Sequence, residues 1–82
     1  MPNDELGREL TAAELKVKTV VVIRRVDRPR AMTAWVWAIG SDYVAFALGV
    51  IKTTFVAYLR EDGKLVDDTG GEIKVWEYLG PV

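Results

Sequence analysis

The middle of the chain is almost free of charge, since Asp42 and Lys52 are the only charged residues between Ala31 and Leu59. The remainder is apolar and aromatic sequence in three runs, AMTAWVWAIG, YVAFALGV and TTFVAYL. A sheet with one face in water alternates polar and apolar residues, because successive side chains of a strand point to opposite faces. In these runs the odd-numbered and the even-numbered residues are both apolar, so the sequence predicts strands that need cover on both faces.

The chain has little material to provide that cover. Its 82 residues predict a single domain, residues 1–82, near the small end of chains that fold alone. A large apolar surface left in water usually marks an association site. We therefore expect a homo-oligomer, with a two-fold dimer favoured because that is the commonest assembly.

Two residue types that support much of enzyme chemistry are missing. The sequence contains no cysteine and no histidine. This excludes disulfides and thiolate metal sites, and it removes the usual general base near neutral pH. We expect a protein that is not an enzyme, with no catalytic residue, no cofactor-binding residue, no metal ligand and no cofactor.

The apolar runs are too short for a membrane-spanning helix. The longest, Ala31 to Gly40, falls well below the roughly 20 residues that such a helix needs. The chain opens with the polar, acidic segment MPNDELGREL rather than with a secretory signal. We expect a cytoplasmic protein with no membrane partner.

The fold class indicated is mainly β (α+β), with a short helix before the sheet. Residues 1–16 are expected to be helical or partly disordered, because their apolar residues form a one-sided stripe and Thr11 to Glu14 matches a capping box. Residues 17–80 form an antiparallel β meander, either a curved five-stranded sheet or a small barrel. The expected strand segments are Lys18–Val26, Ala31–Ile39, Tyr43 to about Val50, Thr53–Arg60, Lys64–Val66 and Glu72–Tyr78, which make five strands if the third and fourth form one strand bent at Gly49.

Turn residues separate these strands. Asp62-Gly63 is the strongest hairpin signal in the chain. Asp67 to Glu72 is rich in oxygen ligands, but it lacks the spacing of a calcium loop and is interpreted as a turn. Gly49 is either a bulge or part of a tight connection, and the sequence leaves that choice open.

A basic segment between acidic ends is the best candidate for a ligand site. It contains Arg24, Arg25, Arg28 and Arg30, with Asp27 as its single acid. Arginine binds phosphates and carboxylates through paired hydrogen bonds. The segment either pairs with the acidic ends of its own chain or binds single-stranded nucleic acid, another anionic ligand or an acidic protein partner.

The aromatic residues support three different hypotheses. Trp35 and Trp37 share one strand face, with Ile39 expected beside them. They either pack in a core or subunit interface, or stack on bases beside the arginines. The candidate interface residues are Trp35, Trp37, Tyr43, Phe46 and Phe55. A third hypothesis is a barrel that holds a small apolar ligand, lined by Trp35, Phe46 or Tyr58.

Two resemblances complete the picture. Residues Gly63 to Tyr78, GKLVDDTGGEIKVWEY, resemble the tails of short bacterial proteins carried on mobile elements such as integron gene cassettes. That resemblance implies no activity and no site residues. The order of a helix and then five strands is similar to that of Sm-like and SH3-like small barrels, whose ligand-binding motifs are not recognisable here.

The function favoured by the sequence is a non-enzymatic binding or adaptor module that self-associates through apolar strand faces.

Overall fold

Seven strands and one short 3₁₀ turn make up the computed structural model, which describes residues 4–48 and 53–81. The 3₁₀ turn covers Ala12–Glu14. The strands are β1 (Asp4–Leu10), β2 (Thr19–Arg25), β3 (Met32–Ile39), β4 (Tyr43–Leu48), β5 (Thr53–Leu59), β6 (Leu65–Val66) and β7 (Glu72–Pro81).

The strands close into a barrel. β2 to β7 follow one another as an antiparallel meander, and β7 pairs back with β2, so six strands form a closed ring. β7 is ten residues long, and one of its edges pairs with β6 at Glu72 and Ile73 and with β1 from Val75 onwards. β1 is thus a seventh strand, which pairs with the part of this β7 edge that β6 does not reach.

Closure provides the cover that the sequence demands for one face of each strand. Val21 and Ile23 of β2 are buried, and so are Ala34 and Val36 of β3, while Phe46 of β4 is completely enclosed. Burial alternates along β3, because Trp35 lies between the buried Ala34 and Val36 and is exposed, and Trp37 after them is exposed too. The inner faces therefore make the core, and the apolar outer faces stay largely on the surface, with Val22 and Ala45 as buried exceptions.

The expected N-terminal helix is wrong. Asp4–Leu10 is strand β1, paired antiparallel with β7. Gly7 permits this pairing, since a Cβ atom built on Gly7 would lie 2.7 Å from the Cβ of Glu77. Register irregularities between Asp4 and Glu9 explain why the apolar residues of the segment do not show a strand period. Pairing with β7 outweighs the weak local preference for helix.

The capping box is confirmed, although it caps a single 3₁₀ turn. The Glu14 carboxylate accepts hydrogen bonds from the Thr11 backbone N–H at 2.8 Å and from its hydroxyl at 3.1 Å. These bonds and the ion pair with Arg8 hold the pKa of Glu14 below its ordinary value, the Thr11 N–H contributing most. Leu15 follows the turn and is 6% exposed, so this segment covers one end of the barrel core.

The expected count of five strands and the α+β class are also corrected. The described residues contain seven strands and no α-helix. The six strand positions expected between residues 17 and 80 are confirmed to within a few residues, and the Asp62-Gly63 hairpin joins β5 to β6. Gly49 and Val50 lie outside the described residues. No helix in the described part of the chain is long and apolar enough to cross a membrane.

A bulge in β3 changes which residues share a face. Val36 lies opposite Phe46 and Ala38 opposite Ala45, so one extra residue, Trp37, is inserted between the two pairs. Beyond the bulge, Ile39 lies opposite the buried Val44. The expectation that Ile39 extends the surface of the two tryptophans is therefore wrong, because an inserted residue reverses the side-chain alternation.

Candidate functional site

The outer surface of β2 to β5 carries a continuous apolar strip. Val20 of β2 lies opposite Trp35 of β3, Trp35 lies opposite Ala47 of β4, and Ala47 lies opposite Thr54 of β5. Paired residues share a sheet face, so the four side chains form one row across four strands. Together with Trp37 they line a shallow depression of about 580 Å³. We call these five residues the tryptophan face.

Both tryptophans of this face are accessible. Trp35 is 44% exposed and Trp37 is 46% exposed, and Val20 beside them is 44% exposed. The core reading of Trp35 and Trp37 is therefore wrong, because closure of the ring encloses the opposite face of β3. An exposed apolar patch of this kind is typical of an association surface.

The other candidate interface residues lie in different places. Tyr43 is exposed near one end of the barrel, opposite Tyr58 of β5. Phe55 is partly buried against the core, with its ring centroid 6.3 Å from that of Phe46. Phe46 itself is 0% exposed, so its assignment to an interface is wrong. It faces inward because Val44 and Phe46 share the parity of β4 that the ring encloses.

The structure does not support the set of residues expected to line a lipophile cavity. Trp35 is on the outer surface, Phe46 is in the core, and Tyr58 is exposed beside Tyr43. These side chains therefore do not face one common cavity. The interior that the ring encloses is filled by its own side chains, as is usual for a small barrel.

Arg25 of the basic segment has a structural role. Its guanidinium binds Asp27 through two hydrogen bonds of 3.1 and 2.9 Å, and its Nη1 lies 3.1 Å from Oδ2 of Asp67. Gly71 leaves room for this side chain, since a Cβ there would lie 2.7 Å from Nη2 of Arg25. Arg25 thus links the loop after β2 to the loop before β7, which is the intramolecular pairing considered for the basic segment.

Asp67 organises the second of these loops. Its Oδ1 accepts hydrogen bonds from the Thr69 hydroxyl at 2.7 Å, the Thr69 N–H at 3.0 Å and the Gly71 N–H at 2.8 Å. These bonds, the Thr69 hydroxyl first among them, hold the pKa of Asp67 below its ordinary value of 3.8. The prediction of a turn at Asp67 to Glu72 is confirmed. In the described residues, no group of three or more acidic side chains converges as a metal site would require.

Arg24 is held over an aromatic ring. Its Cζ lies 5.8 Å from the ring centroid of Trp76 on β7, within the range of a cation–π interaction. Its Nη1 donates to the backbone oxygen of Arg28 at 2.7 Å and, at 3.4 Å, to those of Arg25 and Val26. Lys74 lies directly opposite Arg24 across the β2–β7 pair.

Arg28 and Arg30 project from the loop between β2 and β3. Both are exposed, and neither side chain has a hydrogen bond or ion pair to any residue that the structure describes. Trp35 comes five positions after Arg30, which at the rise of a strand is about 17 Å, and Trp37 is farther along. Arg30 therefore does not lie beside these two tryptophans, and Arg24 and Arg25 contact Trp76, Asp27 and Asp67 instead.

Sequence reasoning missed Val20, Lys74 and Trp76. Val20 is hidden in the uninterrupted run TVVVI, in which no polar residue marks the outer parity. Lys74 and Trp76 are two residues apart, which places them on one face of the last strand, and that spacing could have been noticed. Their position beside Arg24 depends on ring closure between β7 and β2.

Comparisons with known proteins leave the chain without an assigned family. No protein-family model, no curated protein and no solved structure matches it.

Proposed function

We propose that this protein is a non-enzymatic binding module that self-associates through its tryptophan face, with a second copy of the chain as the occupant of that face. The observation that carries the proposal is the exposure of Trp35 and Trp37, each nearly half accessible, on one side of an otherwise closed barrel. Tryptophan side chains that become buried when two proteins associate often contribute most of the binding free energy.

The shape of the face fits a two-fold contact. Such a contact uses the same patch on both copies, so the patch must contain both projecting and small residues. Trp35 and Trp37 are the large side chains, and Ala47 of the adjacent strand is small. In a two-fold pair, the indoles of one copy lie over Ala47 of the other. A stable dimer buries roughly 800 Å² of each partner, so the contact also includes neighbouring residues of the same outer face, such as Val56 and Tyr58 of β5.

Sedimentation equilibrium of the purified chain across a wide concentration range tests this proposal. We expect a reversible monomer–dimer equilibrium in the wild type. Trp37→Ser should weaken association by about tenfold or more, because it removes a central aromatic anchor. Leu79→Ser is the matched control, since Leu79 is 57% exposed but lies on β7 outside the face.

Two results would contradict the proposal. One is a wild-type chain that is folded and monomeric even at high micromolar concentration. The other is an equal effect of Trp37→Ser and Leu79→Ser, which would mean that loss of any exposed apolar residue weakens association.

A further inference from the structure

The strand pair β2–β7 contains a charge arrangement that the fold itself does not explain. Arg24 and Lys74 are directly opposite each other, both half-buried, on the same face of the sheet. Side chains in such positions have Cβ atoms about 4.5–5.5 Å apart, and like charges there destabilise the sheet. Among the described residues, no carboxylate lies within ion-pair distance of either cation: Asp27 pairs with Arg25, Glu72 lies 3.9 Å from Lys64, and Glu9, opposite Trp76 on β1, pairs with neither cation.

Arg24 is also oriented in advance for a ligand. The Trp76 ring and three backbone oxygens hold it, and all three oxygens accept from Nη1. Its Nε and Nη2 donate to no atom in the described part of the chain. These two groups form one edge of the guanidinium, whose geometry matches two oxygens of a phosphate or carboxylate.

A third cation belongs to the loop residue that Arg24 contacts through Nη1. Arg28 accepts a hydrogen bond from Arg24 through its backbone oxygen, and its own side chain is exposed. From these contacts we propose that Arg24, Lys74 and Arg28 form an oxyanion site whose ligand is a phosphate group. Arg24 donates two hydrogen bonds from its free edge, and Lys74 supplies the second positive charge. The Trp76 face is occupied by Arg24, so the site recognises the phosphate rather than a stacked base.

Isothermal titration with inorganic phosphate, at constant ionic strength set by chloride, tests the site. We expect saturable binding by the wild type and an affinity about tenfold or more weaker in Lys74→Gln, since a hydrogen bond to a charged group is lost. Lys16→Gln is the matched control, because it removes the same charge from an exposed lysine before β2. We expect it to bind phosphate like the wild type.

Thermal unfolding without phosphate gives a second readout. Lys74→Gln should unfold at the same temperature as the wild type or a higher one, because the repulsion across β2–β7 is relieved. Reduced phosphate affinity in a fully folded variant would support the site. Equal affinities of Lys74→Gln and Lys16→Gln, or no saturable binding by the wild type, would overturn it.

A ten-nucleotide oligothymidylate distinguishes the two sources of the phosphate. Much tighter binding than to inorganic phosphate, with a steep salt dependence, would assign the site to a nucleic-acid backbone. Equal or weaker binding would assign it to a free phosphate compound. Trp37→Ser should keep phosphate affinity unchanged, so this site and the proposed self-association can fail separately.

Discussion

At the scale of single residues, Asp67 is the best place to connect sequence with stability. The hydrogen bonds from Thr69 and Gly71 and the ion pair with Arg25 all favour its ionised form. Its pKa in the folded chain is therefore below its ordinary value of 3.8. A lowered pKa means that this carboxylate stabilises the fold above about pH 4 and that its contribution is lost as pH falls through the folded-state pKa.

Asp67→Asn should show this effect in unfolding measurements between neutral and acidic pH. The amide cannot reproduce the charge, so the variant should unfold at a lower temperature near pH 7 and lose less further stability on acidification than the wild type. Asp68→Asn is the control, because Asp68 is the exposed neighbour in the same loop. If both variants keep the wild-type slope against pH, the hydrogen-bond network around Asp67 does not govern acid stability.

At the scale of elements, the segment between β1 and β2 acts as a cover for one end of the barrel. Leu15 is its buried contact, 6% exposed and part of the core cluster. Leu15→Ala should cost about 2–5 kcal/mol in free energy of unfolding, as expected for truncation of a buried leucine. Val17→Ala, at a 43% exposed position two residues on, should change stability by at most about 0.5 kcal/mol. Urea denaturation of both variants measures the difference, and equal losses would show that the segment does not close the core.

The elements also show what local sequence can and cannot predict. The β-branched run before Arg24 and the Asp62-Gly63 turn specify their structures locally, and both are found where expected. β1 could not be predicted, because its strand state depends on pairing with β7, which lies about seventy residues away in the chain. Long-range pairing leaves little trace in a segment whose register shifts twice.

The candidate site likewise combines features that the local sequence predicts with features that depend on long-range pairing. The shared face of Trp35 and Trp37 was predictable from their spacing, and their exposure was not, because it depends on which side of β3 the ring encloses. The bulge at Trp37 also has no sequence signal such as a glycine. The structural roles of Arg24 and Arg25 require partners on β7 and its preceding loop, which only closure brings near.

At the scale of the whole molecule, closure of the ring depends on its shortest strand. β6 pairs at two positions with β5 and at two with β7, whereas β3 pairs at five positions with each of its neighbours. Backbone amides exchange through local openings whose free energy rises with the surrounding hydrogen bonds and packing. The ring should therefore open first at β6, although Leu65 and Val66 are buried.

Amide hydrogen exchange measured by NMR can test this order of opening. The amides of Leu65 and Val66 should exchange faster than those of Ala34 and Val36, which are also buried but lie in the middle of the longer strand β3. All four residues are buried, so a difference in exchange rate reports opening of the barrel at β6 rather than a difference in solvent exposure. Asp67→Asn should accelerate exchange in β6 further and leave β3 unchanged, because the Arg25–Asp67 contact anchors the loop that follows β6. Equal protection of β6 and β3 would show that the barrel opens as a single cooperative unit, with no weak seam.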